Sequence, residues 1–180
     1  MSYFYFIRHA PTINNIKNIR CGGDVDLPLI EDFQKYIEDS LHEIKKASIS
    51  KIYTSPLIRT TSTAEFIAQQ LNTNPIISTD DRIKERSLGK LNFLDINATQ
   101  EILRNPPTEY EVEDNFTFQE RVIDFINQIK EIECHNLNTT LIVSSKGIAR
   151  VLTEHFDFEK VNGGSDIYAN CQLIKFFINQ

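Results

Sequence analysis

An α/β sandwich is the fold this sequence predicts: three layers, with a mostly parallel central sheet and helices on both faces. Two observations carry the prediction. Short β-branched or aromatic runs alternate with amphipathic helical periods, so successive strands need crossover connections. The 180 residues, 41% apolar and 24% charged, are ordinary globular composition and enough chain for one full core without disulfide or metal staples. The expectation is therefore a single domain over residues 1–180.

Tyr3–Ile7 is aromatic and β-branched and reads as a buried strand. Residues 9–28, rich in Asn, Gly and Pro, read as a long loop, a feature that in a compact domain usually serves a function. Ile30, Phe33, Ile37, Leu41 and Ile44 recur with helical spacing between Leu29 and Ala47. Ser48–Thr54 is the next strand, and Ser55-Pro56 has the composition of a helix start leading to Leu71. Ile76-Ile77 is a weak strand before the charged stretch Asp80–Arg86, and Ala98–Arg104 a short helix ended by Pro106-Pro107. Thr117-Phe-Gln-Glu120 has capping-box form ahead of Val122, Phe125, Ile126 and Ile129 on one helical face. Thr139–Val143 is the best central strand, Lys146–Phe156 a helix after a sharp turn, and Gln172–Ile178 the last strand.

Composition removes several classes of function. The net charge of −6, from 19 Lys+Arg against 25 Asp+Glu, argues against a nucleic-acid binder, whose phosphate contacts need clustered cations. It leaves room for a small phosphorylated ligand held by a few local arginines. Apolar runs of about six to eight residues fall short of the ~20 needed to cross a bilayer, so no membrane partner is expected. The amino terminus runs directly into Arg8-His9 and reads as a strand, not a signal peptide. Cys21, Cys134 and Cys171 are odd in number and far apart, which fits free thiols in a reducing cytoplasm. No metal site is expected, and Cys134-His135 lacks useful ligand geometry.

Ligands of open α/β sheets bind beyond the carboxyl ends of the strands. Three clusters fall there: Arg8-His9, Ser55…Arg59, and Ser144-Ser145-Lys146-Gly147, with Asn15 on a loop able to fold back over them. Two arginines, an imidazole, an amide and a helix amino terminus describe an oxyanion cage. A neutral imidazole there is a nucleophile for phosphorus, and Glu85 is a candidate acid for the leaving group. Each element also has a plainer reading. Arg8-His9 alone fits a surface feature, Arg59 a solvated cation, Glu85 one member of a charged loop, and Ser144–Gly147 a helix cap. His42, His135 and His155 read as structural or solvent-exposed, and Glu109, Glu111, Glu113 and Asp114 as a solvated acidic loop.

Together the segments resemble the histidine phosphatase superfamily, with its phosphoglycerate-mutase-like fold. Phe6-Ile-Arg-His-Ala-Pro-Thr-Ile-Asn-Asn15 is similar to that family's R-H-G-x-T-x-x-N signature, with Ala10 where glycine is usual. Arg20-Cys-Gly-Gly-Asp-Val-Asp-Leu-Pro-Leu29 resembles R-x-x-G-x-x-D-x-P-L, and Ser55-Pro-Leu-Ile-Arg-Thr-Thr-Ser-Thr-Ala64 resembles S-P-L-x-R-x-x-x-T-A. Arg82-Ile-Lys-Glu-Arg-Ser-Leu-Gly89 is similar to the R-L-x-E-x-x-x-G loop, and Phe116–Val122 and Asn170-Cys171 fit the later helix and the start of the last strand.

The resemblance implies phosphoryl transfer through a phosphohistidine, without metal or cofactor, on a small phosphorylated metabolite. By it, His9 attacks phosphorus and Glu85 protonates the leaving group. Arg8, Arg59 and Asn15 hold the phosphoryl oxygens, and Gly23, Ser145 and Lys146 fall at substrate-binding positions. One departure stands out. Where the family reads roughly V-S-H-G-G, this chain has Val143-Ser-Ser-Lys-Gly147, with Ser145 in place of a second histidine. A serine hydroxyl donates a hydrogen bond but carries no charge. Lys146 restores that charge if it turns inward, although the plainer reading sends it to solvent. A degenerate phosphatase that binds a phosphoryl ligand, inorganic phosphate or a protein is the alternative. A phosphoglycerate mutase is a weaker one, because 180 residues leave little room for a substrate-covering insertion.

Overall fold

The computed structural model describes residues 2–133, 136–162 and 165–178, so the Cys134-His135 pair lies outside the described residues. The sheet contains β1 (Ser2–Arg8), β2 (Lys51–Thr54), β3 (Ile76–Thr79), β4 (Thr140–Ser144), β5 (Asp157–Lys160) and β6 (Leu173–Ile178), in the order β3-β2-β4-β1-β6-β5. β1, β2, β3 and β4 pair in parallel, whereas β6 runs antiparallel to both β1 and β5. The sheet is thus mostly parallel with an antiparallel edge. The helices are α1 (Ile13–Ile16), α2 (Gln34–Lys46), α3 (Ile58–Gln69), α4 (Gln100–Arg104), α5 (Asn115–Ile132) and α6 (Lys146–His155).

The two-residue period of the strands divides the core. Phe4, Phe6, Tyr53, Ile142, Ile174 and Phe176 face α5 and α6, packing on Val122, Phe125, Ile126, Ile129, Ile148 and Leu152. Ile7, Ile52, Leu141, Val143 and Leu173 face the other way, onto Ile37 and Ile44 of α2 and Ala64 and Ile67 of α3. Phe176 joins the first layer by stacking on Phe4, with ring centroids 5.5 Å apart, and presenting its edge to Phe6 at 6.3 Å. No helix among the described residues is long and apolar enough to cross a membrane.

Several boundaries differ from the sequence reading, each for a local reason. The 9–28 loop includes the four-residue α1, whose Thr12 and Asn15 cap one another. α2 begins at Gln34, not Leu29, and β2 at Lys51, because Ser48 takes a left-handed turn (φ 51°) after α2 ends. Ser55 does not cap α3: Leu57 holds that position, and the Ser55 hydroxyl pairs with the Thr60 hydroxyl at 2.6 Å. α5 starts before the anticipated Thr117, because the Asp114 carboxylate accepts the Thr117 amide at 3.0 Å and caps the helix. β5 went unread because its residues are exposed and carry no apolar alternation.

Phe176→Ala removes a fully buried ring from the centre of one layer. It is expected to cost about 3–5 kcal/mol of unfolding free energy, measured by urea denaturation.

Candidate active site

β1 and β4 end level, Arg8 opposite Ser144, and the His9 amide donates to the Ser144 carbonyl at 2.8 Å. The chain therefore leaves the sheet with His9 beside the first turn of α6. The imidazole is only 4% exposed. Its Nδ1 lies 2.7 Å from the Ala10 carbonyl oxygen, which can only accept, so Nδ1 carries the hydrogen and Nε2 keeps its lone pair. Burial pushes the His9 pKa well below its usual 6.5, and the Arg8 and Arg59 guanidinium groups push it the same way. The ring is neutral at physiological pH.

Both arginines are anchored by backbone carbonyls. Arg8 Nη1 donates to Tyr168 O at 2.6 Å, while its Nε is buried with no partner among the described residues. Burial lowers the Arg8 pKa to about 10, against the opposing pull of Glu85 and Asp166, and leaves it cationic at neutral pH. Arg59 lies on the buried face of α3 with 1% exposure, which replaces the solvated-cation reading. Its Nη1 and Nη2 donate to Val25 O at 2.7 Å and Gly22 O at 3.0 Å, tying the glycine loop to α3.

Glu85 approaches from the loop after β3. Its Oε1 accepts the Arg86 amide at 2.8 Å and its Oε2 accepts the Gly147 amide, in the first turn of α6, at 2.9 Å. A Cβ on Gly23 would strike the Glu85 carbonyl oxygen, so that position requires glycine, and one on Gly147 would strike Glu85 Oε1 and displace the carboxylate. Arg121 clamps the same loop, donating to the carbonyls of Arg82, Lys84 and Glu85 at 2.6, 2.8 and 3.2 Å. Glu113 grips Arg121 with both carboxylate oxygens, at 2.8 and 2.9 Å. Glu113 is thus a member of this clamp and not of a solvated acidic loop, and Asp114 is a helix cap.

Asn15 uses Oδ1 to accept from the Thr12 amide (3.0 Å) and hydroxyl (3.1 Å). Ser145 is the N-cap residue of α6, 2% exposed, and its Oγ has no partner among the described residues. A cavity of about 300 Å³ opens here, lined by Arg8, Asn15, Glu85, Lys146 and Gly147, and by Arg20, Arg86 and Arg150, to which the sequence reading gave no role. His9, Arg59 and Ser145 are buried and, like Gly23, do not line it. Lys146 therefore borders the cavity instead of pointing to open solvent, with Nζ 5.8 Å from the Tyr168 ring centroid. Burial lowers its pKa, helped by Arg8 and Arg150. Gly147 had a legible signal, glycine in the first turn of a helix. Arg20 and Arg86 fall inside motif blocks without an assigned role and Arg150 carries no signal, because the convergence of the three depends on separate segments. Among the described residues no three His, Cys, Asp or Glu cluster as metal ligands.

Residues 4–177 match the family model described as histidine phosphatase superfamily (branch 1). The chain belongs to the histidine phosphatase superfamily. It is 35% identical over 91 residues to the probable phosphoglycerate mutase GpmB of Proteus mirabilis, covering 51% of this chain and 41% of that protein. It is also 35% identical over 89 residues to a Bacillus subtilis protein named uncharacterized phosphatase PhoE, covering 49% of this chain and 45% of that one. The chain thus matches under half the length of these curated relatives. A phosphoglycerate mutase structure from Bacillus anthracis superposes with TM-score 0.70 at 18% identity, over 87% of this chain and 80% of that one. Bacillus stearothermophilus YhfR does so with TM-score 0.70 at 22% identity, over 85% and 78%. These likenesses establish the phosphoglycerate-mutase-like fold of this superfamily member.

The buried neutral imidazole gives stability a pH dependence. Below about pH 6.5 the unfolded chain protonates His9 while the folded chain does not, so stability declines as pH falls. Urea denaturation between pH 7 and pH 5.5 is expected to show a smaller decline in His9→Gln than in the wild type.

Proposed function

We propose that this protein is a phosphomonoesterase working through a phosphohistidine, without a metal, on a small phosphorylated metabolite. The observation that carries the reading is the tautomer of His9: Nδ1–H is held by the Ala10 carbonyl, and Nε2 keeps a lone pair beside two buried guanidinium groups. Nε2 attacks phosphorus and the P–O bond to the leaving group breaks. Glu85, as the carboxylic acid, gives its proton to the departing alkoxide. In the second half, water attacks the phosphohistidine, the Glu85 carboxylate takes a proton from that water, and the P–N bond breaks. Inorganic phosphate leaves and both side chains return to their starting states.

Arg8, Arg59 and Asn15 hold the phosphoryl oxygens in this scheme, where positioned charge supplies most of the acceleration. The orphaned Arg8 Nε and Ser145 Oγ support it, since buried donors without partners suit a ligand rich in acceptor oxygens. Gly23 lets the glycine loop approach the Glu85 backbone closely, and Lys146 adds charge at the rim. A second reading, a binding module without turnover, is favoured by Ser145 standing where the family has its second histidine. Loss of one such donor typically costs about 10²–10³ in rate.

Incubation with a phosphate donor followed by mass spectrometry separates the two readings. The enzyme reading expects an acid-labile phosphoryl group on His9 and turnover of an aryl phosphate in the presence of a chelator, both abolished in His9→Ala. Phosphate binding with neither label nor turnover would establish the module instead. Glu85→Gln is expected to lower steady-state turnover of an alkyl phosphate by about 10²–10⁴. Formation of the phosphohistidine from an aryl phosphate should suffer less, because that leaving group departs without a proton.

A further inference from the structure

The charges bordering the cavity outnumber what one phosphoryl group can engage. In a chain of net charge −6, its walls carry five cationic side chains, Arg8, Arg20, Arg86, Lys146 and Arg150, against two carboxylates, Glu85 and Glu154. Three of the five are at least partly occupied by protein acceptors. Arg8 donates to Tyr168 O, Arg20 to Thr99 Oγ1 and Ile96 O, and Arg86 to Glu113 O. Lys146 and Arg150 have no hydrogen bond or ion pair among the described residues. They flank one aromatic ring, with Nζ and Cζ 5.8 and 5.6 Å from the Tyr168 centroid.

We infer that the substrate's leaving group carries a second anion, a carboxylate or a phosphate, bound by Lys146 and Arg150 on one face of α6. The inference rests on the phosphatase reading for the position of the first anion. Residues four apart on a helix share a face, and α6 rises about 6 Å between them. The pair therefore continues the cavity away from Ser145, whose unpartnered hydroxyl marks the phosphoryl end. Apolar wall residues such as Ile19, Leu88 and Phe118 provide a surface for the carbon skeleton between two charged ends. The volume agrees: about 300 Å³ is at the low end of small-molecule sites and more than a lone phosphate fills. Like charges gathered around a cavity repel one another, and a dianionic or trianionic ligand relieves that repulsion. Burial and the neighbouring Arg8 and Arg150 lower the Lys146 pKa against the pull of Asp166 and Glu85, and burial with Arg150 lowers that of Arg20 against Asp95.

Calorimetric titration with phosphonates tests this without requiring turnover. Alkylphosphonates of two to five carbons are compared, at physiological salt, with ω-phosphonocarboxylates and α,ω-bisphosphonates of matched length. At least one doubly anionic compound is expected to bind about tenfold or more tightly than its alkyl mate. The better of the two series identifies the second anion as carboxylate or phosphate. Arg150→Met and Lys146→Met should each weaken that compound several-fold more than the alkylphosphonate, and Lys146→Arg should retain the preference. Absence of any preference, including absence of binding by every compound, overturns the inference, as does equal weakening of both classes in the methionine variants. Phosphorylation of His9 from a donor is read separately, so the phosphatase reading stands or falls on its own result.

Discussion

Positive charge buried at the carboxyl ends of β1 and β4 is the constraint to which the rest of the site answers. Removing a guanidinium group from water costs several kcal/mol unless its hydrogen bonds are replaced. Here the replacements are backbone carbonyls. Tyr168 serves Arg8, Val25 and Gly22 serve Arg59, and the Ala10 carbonyl orients the imidazole between them. These acceptors are neutral, and the carboxylate of Asp26 stands 4.0 Å from Arg59 Nη1. The consequence is a buried, positively charged seam that, with burial itself, pushes the His9 pKa down.

The carboxylate stands across the cavity from that seam and has its own scaffold. Glu85 is fixed by two amides, one from its own loop and one from the first turn of α6. That proximity explains two glycines that no turn geometry requires: Gly147 makes room for the Glu85 carboxylate and Gly23 for its backbone. Arg121 and Glu113 brace the loop from behind, while Ser144 Oγ donates to Ile83 O at 2.6 Å and joins its start to β4. Glu85 is held by one set of contacts and His9 by another, and both meet the β4–α6 connection.

α6 begins after Ser145, where the sequence resemblance leads one to expect a second histidine. Ser145 keeps a donor at the helix start but brings no charge, and Lys146 supplies an ammonium group one residue later at the cavity border. Its charge lies on the same helical face as Arg150, four residues on.

Much of the fold was legible because periodicity is a local property. The continuous apolar runs of β1 and β4 and the helical stripes of α2, α5 and α6 are written in consecutive residues, and burial follows from them. The motif blocks likewise indicated His9, Arg8, Arg59, Asn15 and Glu85. Local pattern failed where a nearby competitor existed, as with Asp114 capping in place of Thr117, or where no pattern existed, as with exposed β5. What only the tertiary structure decided is which charges are buried and which face one another. Glu113 became a clamp, Arg59 an internal strut, Lys146 a wall of the cavity, and Arg20, Arg86 and Arg150 its neighbours. A side chain's type is set by its codon and its helical face by its neighbours. Its partner across the sheet is set by crossovers that bring residues more than a hundred positions apart within hydrogen-bonding distance, and no short stretch of sequence records that distance.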